Sequence, residues 1–308
     1  MKPTNTSSSI ALIGGLSPLG VATAHLLLAA SDADILITHR PESSGTQLDD
    51  GRVSHAAIDG LDARAMADCV QDCDTVVWFI HDRSLEQGVN TAAFREFVHG
   101  LEGSAVRKIV FISSGGAVYG EPLLLPVEET QVRNPLDAYG TEKKGMEDVL
   151  FDLEETSSIH TAIIRPANIY GDESLTGRSK GVVSSCLQCL MNGEVLSVYH
   201  NGETVRDYVH VDDVAAAIVE AVQTELPHVV WNVGSEQGYN TTEVINALES
   251  FYGGAGLKTK YIPVSGEFIR NSVLSTESLR TQSSWRMKKQ PMDGFRELAQ
   301  KARKLAGI

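Results

Sequence analysis

The chain lacks several features that would place it in other classes of protein. No apolar run approaches the roughly 20 residues that a membrane-spanning helix requires, so no membrane partner is expected. Lys and Arg number 26 against 40 Asp and Glu, and the formal net charge of −14 argues against a general nucleic-acid-binding protein. The N-terminal stretch PTNTSSS has neither the basic nor the apolar segment of a secretory signal. We therefore expect a cytoplasmic protein without a nucleic-acid partner.

Cysteine is also scarce. The four cysteines form a CxxxC pair, Cys69 and Cys73, and a CxxC pair, Cys186 and Cys189. Such spacings can hold zinc, but both pairs lie in segments of helical pattern without a cluster of histidines nearby. We expect free thiols and no metal site.

The sequence does contain a regular alternation of short apolar runs and helical stretches. The apolar runs are SIALIGG, DILITHR, TVVWFIHD, KIVFISS and HTAIIRP. WNVG reads as a later strand, and TTEVINALESFYGG and MDGFRELAQKARKL read as later helices. This alternation of strands and helices predicts an α/β fold, a Rossmann-like doubly wound parallel sheet with helices on both faces.

The first strand is followed by a loop that has the pattern of a phosphate cradle. Gly14 and Gly20 occupy the outer positions of GxxGxxG, and Ser17 occupies the middle one. Glycines permit the tight turn and a close approach of the backbone to a pyrophosphate, which then meets a helix N-terminus. Serine is small and can donate a hydroxyl hydrogen bond to phosphate. We expect a dinucleotide-binding loop here.

The end of the second apolar run bears on the choice of cofactor. No acidic residue lies between the end of this run and Glu42, so the carboxylate that would hydrogen-bond the adenosine ribose of NAD is missing. Arg40, next to His39, can instead pair with the 2′-phosphate of NADP. This favours NADP but leaves NAD open. Asp59 could contact the adenine or cap the following turn.

The segment YGTEK supplies a candidate acid–base pair. Tyr139 and Lys143 are four residues apart at the start of a helical pattern, which places both side chains on one face. An ammonium near a phenol favours the phenolate and makes the tyrosine usable as an acid or base. The preceding strand ends in the hydroxyls of Ser113 and Ser114.

These stretches resemble the extended short-chain dehydrogenase/reductase family, in its nucleotide-sugar epimerase/dehydratase branch. The matching segments occur in family order and cover nearly the whole chain: GGLSPLG, AAIDGLD, FISSGGAVYG, YGTEK, RPANIYG, RDYVHVDDVAAAI, WNVG and SSW. The resemblance implies a nicotinamide cofactor, a nucleotide-sugar substrate, a smaller C-terminal substrate lobe and a homodimer.

By position, the resemblance makes Tyr139 the proton-transfer residue and gives Lys143 a second role in binding the nicotinamide ribose. Asn168 and Arg206 fall where the family contacts the substrate diphosphate, although Arg206 could instead form a salt bridge with Asp207 or Asp212. The usual catalytic Ser/Thr position holds Gly115. Ser114 is therefore the first candidate for that role and Ser113 the second.

Three functions remain open. A nucleotide-sugar epimerase acting through a transient 4-keto intermediate is favoured, with an NADPH-dependent nucleotide-4-keto-sugar reductase as the alternative. A dinucleotide-sensing protein that has lost catalysis is a third. A dehydratase is disfavoured because the acidic pair it needs is replaced by Gly115 and Gly116. We expect a dinucleotide-binding domain of residues 1–170 plus about 204–234, and a substrate lobe of about 171–203 plus 235–308.

Overall fold

The structure is a computed structural model, and residues 8–43, 48–176, 181–254 and 256–307 are described here. Residues 3–7 of the N-terminal stretch PTNTSSS lie outside them. Among the described residues, no helix combines the length and the apolar composition needed to cross a membrane.

The strands of the described residues are β1 (Ser9–Ile13), β2 (Asp34–His39), β3 (Val53–Ala57), β4 (Thr75–Trp78), β5 (Lys108–Ile112), β6 (His160–Pro166), β7 (Asn168–Tyr170), β8 (Leu196–Tyr199), β9 (Val205–His210), β10 (His228–Val233), β11 (Gly238–Asn240), β12 (Thr259–Ile262) and β13 (Asn271–Ser272). The α-helices are α1 (Pro18–Ala30), α2 (Ala63–Val70), α3 (Val89–Gly100), α4 (Gly115–Val118), α5 (Ala138–Thr156), α6 (Val182–Asn192), α7 (Val211–Gln223), α8 (Thr241–Tyr252), α9 (Glu277–Gln282) and α10 (Pro291–Leu305).

A seven-stranded sheet has the order β10-β6-β5-β4-β1-β2-β3. The strand pairs from β6 to β3 are all parallel. The chain adds β2 and β3 on one side of β1 and β4, β5 and β6 on the other, so the topological switch point lies between β1 and β4. Ligands of open α/β sheets bind beyond the carboxyl ends of the strands at such a point.

The chain divides into two compact units. The first comprises residues 1–114, 137–165 and 215–231, and the second comprises 115–136, 166–214 and 232–308. The segment that contains β9 therefore groups with the second unit, whereas we expected it to return to the dinucleotide-binding domain. The division by ligand stays a prediction.

Strands β1, β4 and β5 are formed almost entirely of buried apolar residues, as expected for a parallel sheet covered on both faces. Trp78 from β4 packs against Phe94 and Phe97 of α3, with ring centroids 5.0 and 4.7 Å apart. Phe111 of β5 continues this cluster, 5.2 Å from Phe94. The cluster fixes the helices that flank the switch point.

In the second unit, β9 is central to a four-stranded sheet. It pairs in parallel with β7 and β13 and antiparallel with β11. Helices α6, α8 and α10 enclose a core that includes Leu187, Leu248 and Phe295. The helices predicted from TTEVINALESFYGG and MDGFRELAQKARKL are confirmed as α8 and α10.

Candidate active site

The glycine loop after β1 has a shape that only glycine permits at two positions. Gly14 has a φ of +78°, and a Cβ there would lie 2.9 Å from Cγ1 of Ile80. A Cβ on Gly20 would lie 2.5 Å from the carbonyl oxygen of Gly15. A side chain at either position would clash with Ile80 or with the backbone of Gly15, so the loop needs glycine at both; its role in binding a pyrophosphate stays a prediction.

Ser17 begins helix α1. Its Oγ accepts a hydrogen bond from the backbone N–H of Gly20 at 3.1 Å, and Pro18 occupies the first helical position. An N-cap serine followed by proline favours a helix start at this point. The Ser17 hydroxyl hydrogen stays available to donate, so the cap is compatible with the predicted phosphate contact.

Beside this loop, the end of β2 meets the segment after β4. Nη2 of Arg40 lies 2.6 Å from Oδ2 of Asp82. Hydrogen bonds from the hydroxyl and the N–H of Ser84, and more weakly the contact with Arg40, lower the pKa of Asp82 to about 2. The residues around the adjoining cavity of about 200 Å³ are Arg40, Glu42, Asp59, Gly60, Leu61, Ile80, Asp82 and Asn90.

His39 and Asp59, the other two predicted cofactor residues near Arg40, both make local contacts. Nδ1 of His39 lies 2.9 Å from the carbonyl oxygen of Arg40. Oδ1 of Asp59 accepts the N–H of Leu61 at 3.0 Å, so Asp59 caps a turn and also borders the cavity. No carboxylate follows β2 before Glu42, as expected, but strand order brings Asp82 of the segment after β4 to Arg40.

Helix α5 positions the predicted acid–base pair. Asp137 caps the helix by accepting the N–H of Gly140 at 2.7 Å, which places Tyr139 in the first turn and Lys143 one turn later. Nζ of Lys143 lies 6.0 Å from the centroid of the Tyr139 ring and donates to the carbonyl oxygen of Ile112 at 2.7 Å. The structure thus brings both side chains to the end of β5.

Lys143 is buried, with 3% of its surface exposed. Burial, followed by the positive charge of Arg83, lowers the pKa of Lys143 to about 7, although Glu147 and Glu142 act in the opposite direction. A lysine with this pKa can exchange a proton near neutrality, which suits a proton-transfer partner of Tyr139.

Two residues after β4 surround Tyr139, and sequence reasoning missed both. The guanidinium carbon of Arg83 lies 3.9 Å from the Tyr139 ring centroid. The His81 ring stands edge-on to the same ring, with centroids 4.8 Å apart at 83°. The signal in the sequence was the polar run His81, Asp82, Arg83, which follows β4 at the end of TVVWFIHD; β4 lies between β1 and β5 in the sheet.

The two candidate serines differ in their surroundings. Oγ of Ser113 is buried and donates to Oε1 of Glu147 at 2.5 Å. Glu147 also accepts Nε and Nη2 of Arg165 at 2.9 and 2.7 Å, in a fully buried ion pair. Ser114 is half-buried. The engagement of Ser113 with Glu147 leaves Ser114 the better placed of the two for a ligand.

The predicted substrate residues belong to the second unit. Asn168 of β7 faces Tyr208 of β9 in the strand register. Arg206 donates to the backbone carbonyl oxygens of Val205, Ile269 and Arg270 at 2.7 to 3.2 Å. Arg206 and the main chain of Arg270 are therefore in contact.

The alternative for Arg206 was an ion pair with one of two nearby aspartates. Within the described residues the structure shows no ion pair between Arg206 and either Asp207 or Asp212. Asp207 is buried and accepts the N–H groups of Ser235 and Leu274 instead, at 2.8 and 3.2 Å. Asp207 of RDYVHVDDVA thus has a structural role. The same role explains Gly234 of WNVG, because a Cβ on Gly234 would collide with the Asp207 carboxylate.

The remaining motif residues pack within the second unit. Tyr170 and Tyr208 are 1% and 3% exposed, and the rings of Tyr170 and His210 lie 5.3 Å apart. Nε1 of Trp285, from the SSW element, donates to the carbonyl oxygen of Asp213 at 2.8 Å. These contacts show that the three rings pack inside the second unit, although the buried hydroxyl of Tyr170 has no hydrogen-bond partner among the described residues.

The cysteines are free. Cys186 is buried, and this burial raises the pKa of its thiol to about 12. In the described ranges, no three His, Cys, Asp or Glu side chains are grouped so that they could hold a metal ion.

A parallel sheet of this strand order, with a glycine-shaped loop at its switch point, defines a Rossmann-like dinucleotide-binding fold. The chain belongs to the NAD dependent epimerase/dehydratase family, whose profile matches residues 10–234.

Named relatives are UDP-sugar 4-epimerases. The chain is 29% identical over 206 residues to a UDP-glucose 4-epimerase of Mycolicibacterium smegmatis, covering 67% of this chain and 66% of that one. It is 26% identical over 274 residues to the UDP-glucose 4-epimerase of Lacticaseibacillus casei, covering 80% and 82%. The chain spans about half of the length of other curated relatives that it matches.

The fold is shared with solved structures. The UDP-glucose 4-epimerase of Thermotoga maritima, solved with UDP-glucose, superposes with a TM-score of 0.86 at 23% identity, covering 96% of this chain and 99% of that one. The UDP-glucose 4-epimerase of Thermus thermophilus, solved with NAD, gives 0.82 at 23% identity, with the same coverage.

Proposed function

We propose that this protein is a nucleotide-sugar 4-epimerase that acts through a transient 4-keto sugar with a bound nicotinamide dinucleotide. The observation that carries the proposal is the Tyr139–Lys143 pair at the end of β5, in the same unit as the glycine loop. The names of the relatives and of the structural neighbours support the substrate class, a UDP-sugar.

The loop between β1 and α1, in the first unit, has a geometry that suits a dinucleotide. Gly14 and Gly20 allow a tight loop that a Cβ at either position would disrupt, and this loop leads into the N-terminus of α1, where an anion is favoured. When bound there, the nicotinamide ring would accept and return hydride at a sugar carbon. Gly14, Ser17 and Gly20 would hold the pyrophosphate, and Lys143 the nicotinamide ribose.

We propose NAD rather than NADP as the cofactor. The expected preference for NADP rested on a free Arg40, but this guanidinium pairs with Asp82, and Asp59 and Glu42 border the same cavity. A 2′-phosphate would therefore meet an excess of carboxylates. Ribose hydroxyls, in contrast, can donate to a carboxylate. This also weakens the basis for an NADPH-dependent reductase.

In this mechanism Tyr139 takes the proton from the sugar C4 hydroxyl and gives it back when the other epimer forms. Lys143 would hold positive charge beside the phenol, which favours the phenolate form of Tyr139. The Ser114 hydroxyl hydrogen-bonds the reacting oxygen. A rotated 4-keto sugar presents its other face before hydride returns, so the protein has only to hold and release protons.

The second unit would hold the nucleoside diphosphate. Arg206 is the candidate ligand for the diphosphate, because the family resemblance assigns it that role and the chain is otherwise strongly acidic. Asn168 would add a hydrogen bond. A homodimer remains part of the proposal on the family resemblance alone.

The experiment is to incubate the protein with NAD and each of UDP-glucose, UDP-arabinose, UDP-glucuronic acid and UDP-N-acetylglucosamine, and to separate the nucleotide sugars by chromatography. We expect at least one sugar and its C4 epimer to reach the same ratio from either side. The Tyr139→Phe variant, which keeps the ring, is the control and should leave the sugar unchanged. No conversion of any of the four by the wild-type protein would contradict the proposal.

A further inference from the structure

Glu142 is a buried carboxylate between the two candidate catalytic residues of α5, and no role has been assigned to it. It directly precedes Lys143, and 5% of its surface is exposed. Oε1 accepts the backbone N–H of Gly88, and Oε2 accepts the backbone N–H and the hydroxyl of Thr91 at 3.0 and 2.9 Å. These donors lie at the start of α3, so the carboxylate joins the start of α3 to α5.

The start of α3 has no cap of its own. The residue before the helix is Gly88, which has no side chain to accept the free N–H groups of the first turn. Glu142 accepts the same two backbone N–H groups that a capping box would satisfy, and its negative charge suits a helix N-terminus. The two helices approach closely here, since a Cβ on Gly145 would lie 3.0 Å from Oγ1 of Thr91.

The first turn of α3 in turn holds the segment after β4. The buried Asn90 accepts the backbone N–H of Asp82 and donates to its carbonyl oxygen, both at 2.9 Å. Asp82 is flanked by His81 and Arg83. The His81 ring centroid and the Arg83 guanidinium carbon lie 4.8 and 3.9 Å from the centroid of the Tyr139 ring. The carboxylate on α5, the start of α3 and this segment therefore form a closed set of contacts that begins and ends on α5.

The charge of Glu142 also acts on Lys143. Burial, followed by the positive charge of Arg83, lowers the pKa of Lys143 to about 7, whereas Glu147 and then Glu142 act in the opposite direction. Part of the positive charge that Lys143 carries near neutral pH therefore depends on the Glu142 carboxylate. The titratable and charged groups around Lys143 are Arg83 and His81 from the segment after β4, and Tyr139, Glu142 and Glu147 from α5.

We propose that Glu142 is a positioning residue of the reaction, whose carboxylate ties the segment beside Tyr139 to the turn of α5 that carries Tyr139 and Lys143. Through this tie the Arg83 guanidinium stays over the Tyr139 ring, where a positive charge favours the phenolate. The same carboxylate favours the ammonium form of Lys143. The inference rests on the proposed function, since that makes Tyr139 the proton-transfer residue.

The experiment measures kcat, KM and their pH dependence for a converted UDP-sugar, together with hydrogen–deuterium exchange of residues 80–92. In Glu142→Gln the amide has a single oxygen, so it cannot accept both backbone N–H groups at the start of α3, and it carries no charge. Thr91→Val keeps the charge of Glu142 and removes the hydroxyl contact. Glu155→Gln, an exposed position on the same helix, is the matched control for the loss of one negative charge.

We expect Glu142→Gln to lower kcat about 10-fold at pH 7 with little change in KM, and to speed amide exchange in residues 80–92. The limb of the pH profile on which kcat falls with rising pH should move to lower pH by about 1 unit, because Lys143 loses its ammonium form sooner without the carboxylate. Thr91→Val should speed the exchange and lower kcat less, without moving that limb, since the charge remains.

A kcat and a pH profile for Glu142→Gln like those of Glu155→Gln would overturn the inference, whatever the melting temperature, and would leave Glu142 a structural cap of α3. If Glu142→Gln does not fold, wild-type kcat and wild-type exchange in Thr91→Val would overturn it instead. Wild-type protein that converts no UDP-sugar would contradict the proposed function, while the exchange data would still report on the tie. The two failures are therefore distinguishable.

Discussion

Glu147 of helix α5 makes the buried contacts that hold Ser113, and with it the neighbouring Ser114, against this helix. It lies two turns after Tyr139 and one after Lys143, and it accepts hydrogen bonds from Ser113 and from both Nε and Nη2 of Arg165. Glu147 and Arg165 have side-chain exposures of 0% and 2%. The change Glu147→Gln keeps the shape and removes the charge, which takes one partner out of the buried ion pair with Arg165.

The expected cost follows from this burial. Breaking a buried ion pair by removing one partner costs about 3–5 kcal/mol. For a domain of about 150–250 residues this lowers the melting temperature by roughly 6–20 °C. The double variant Glu147→Met, Arg165→Met removes both charges and should recover most of the stability, because two well-packed apolar side chains have no desolvation cost.

The assay is differential scanning calorimetry of the single and double variants. Glu155→Gln, an exposed position on the same helix, is the matched control and should change the free energy of unfolding by less than about 0.5 kcal/mol. Because Ser113 precedes Ser114, we also expect Glu147→Gln to lower kcat more than it changes KM. A melting temperature for Glu147→Gln like that of Glu155→Gln, or a double variant no more stable than the single one, would refute the reasoning.

Three further changes test the site. Tyr139→Phe should lower turnover at least roughly 100-fold with an unchanged melting temperature, and near wild-type turnover would remove its acid–base role. Ser114→Ala should lower kcat more than Ser113→Ala does, and the reverse ranking would move the role to Ser113. Wild-type protein should bind NAD more tightly than NADP, and Asp82→Asn, which releases Arg40, should improve NADP binding about 10-fold in calorimetry at fixed ionic strength. Tighter binding of NADP by the wild type, lost in Arg40→Ala, would restore the preference expected from the sequence.

The parts of the fold that could be predicted are those with a strong local pattern. Strands β1, β4 and β5 are buried on both faces and therefore appear as apolar runs. Strand β3 was missed because none of its residues is buried, so VSHAA shows no such run. Strands β7, β11 and β13, which pair with β9, have only two or three residues each, too few to show an alternation of apolar and polar residues.

The site was predicted where a motif is local and missed where strand order assembles it. Tyr139 and Lys143 share one helix face, so their spacing was sufficient. His81 and Arg83 reach Tyr139 only because β4 lies between β1 and β5. In the same way Asp82 reaches Arg40 across 42 positions of the chain, which changed the interpretation of the cofactor site.

Glu147 and Arg165 illustrate a second limit. Each is a charged residue in the sequence, and no local pattern distinguishes a buried charge from a solvated one. The pair forms because α5 packs beside β5 and β6, which brings residues 18 apart in the chain into contact. Only the tertiary arrangement shows that the helix face bearing Tyr139 continues into an ion pair.

The proposed epimerase is expected to keep its NAD bound through each turnover. The most direct test is to denature the purified protein, identify the released nucleotide by chromatography, and assay the native protein on UDP-sugars without added cofactor. We expect NAD in amounts comparable to the protein, and interconversion of a UDP-sugar with its C4 epimer in the absence of added NAD. Release of no nucleotide, with a 4-keto sugar reduced only as NADPH is consumed, would contradict the claim and identify a reductase.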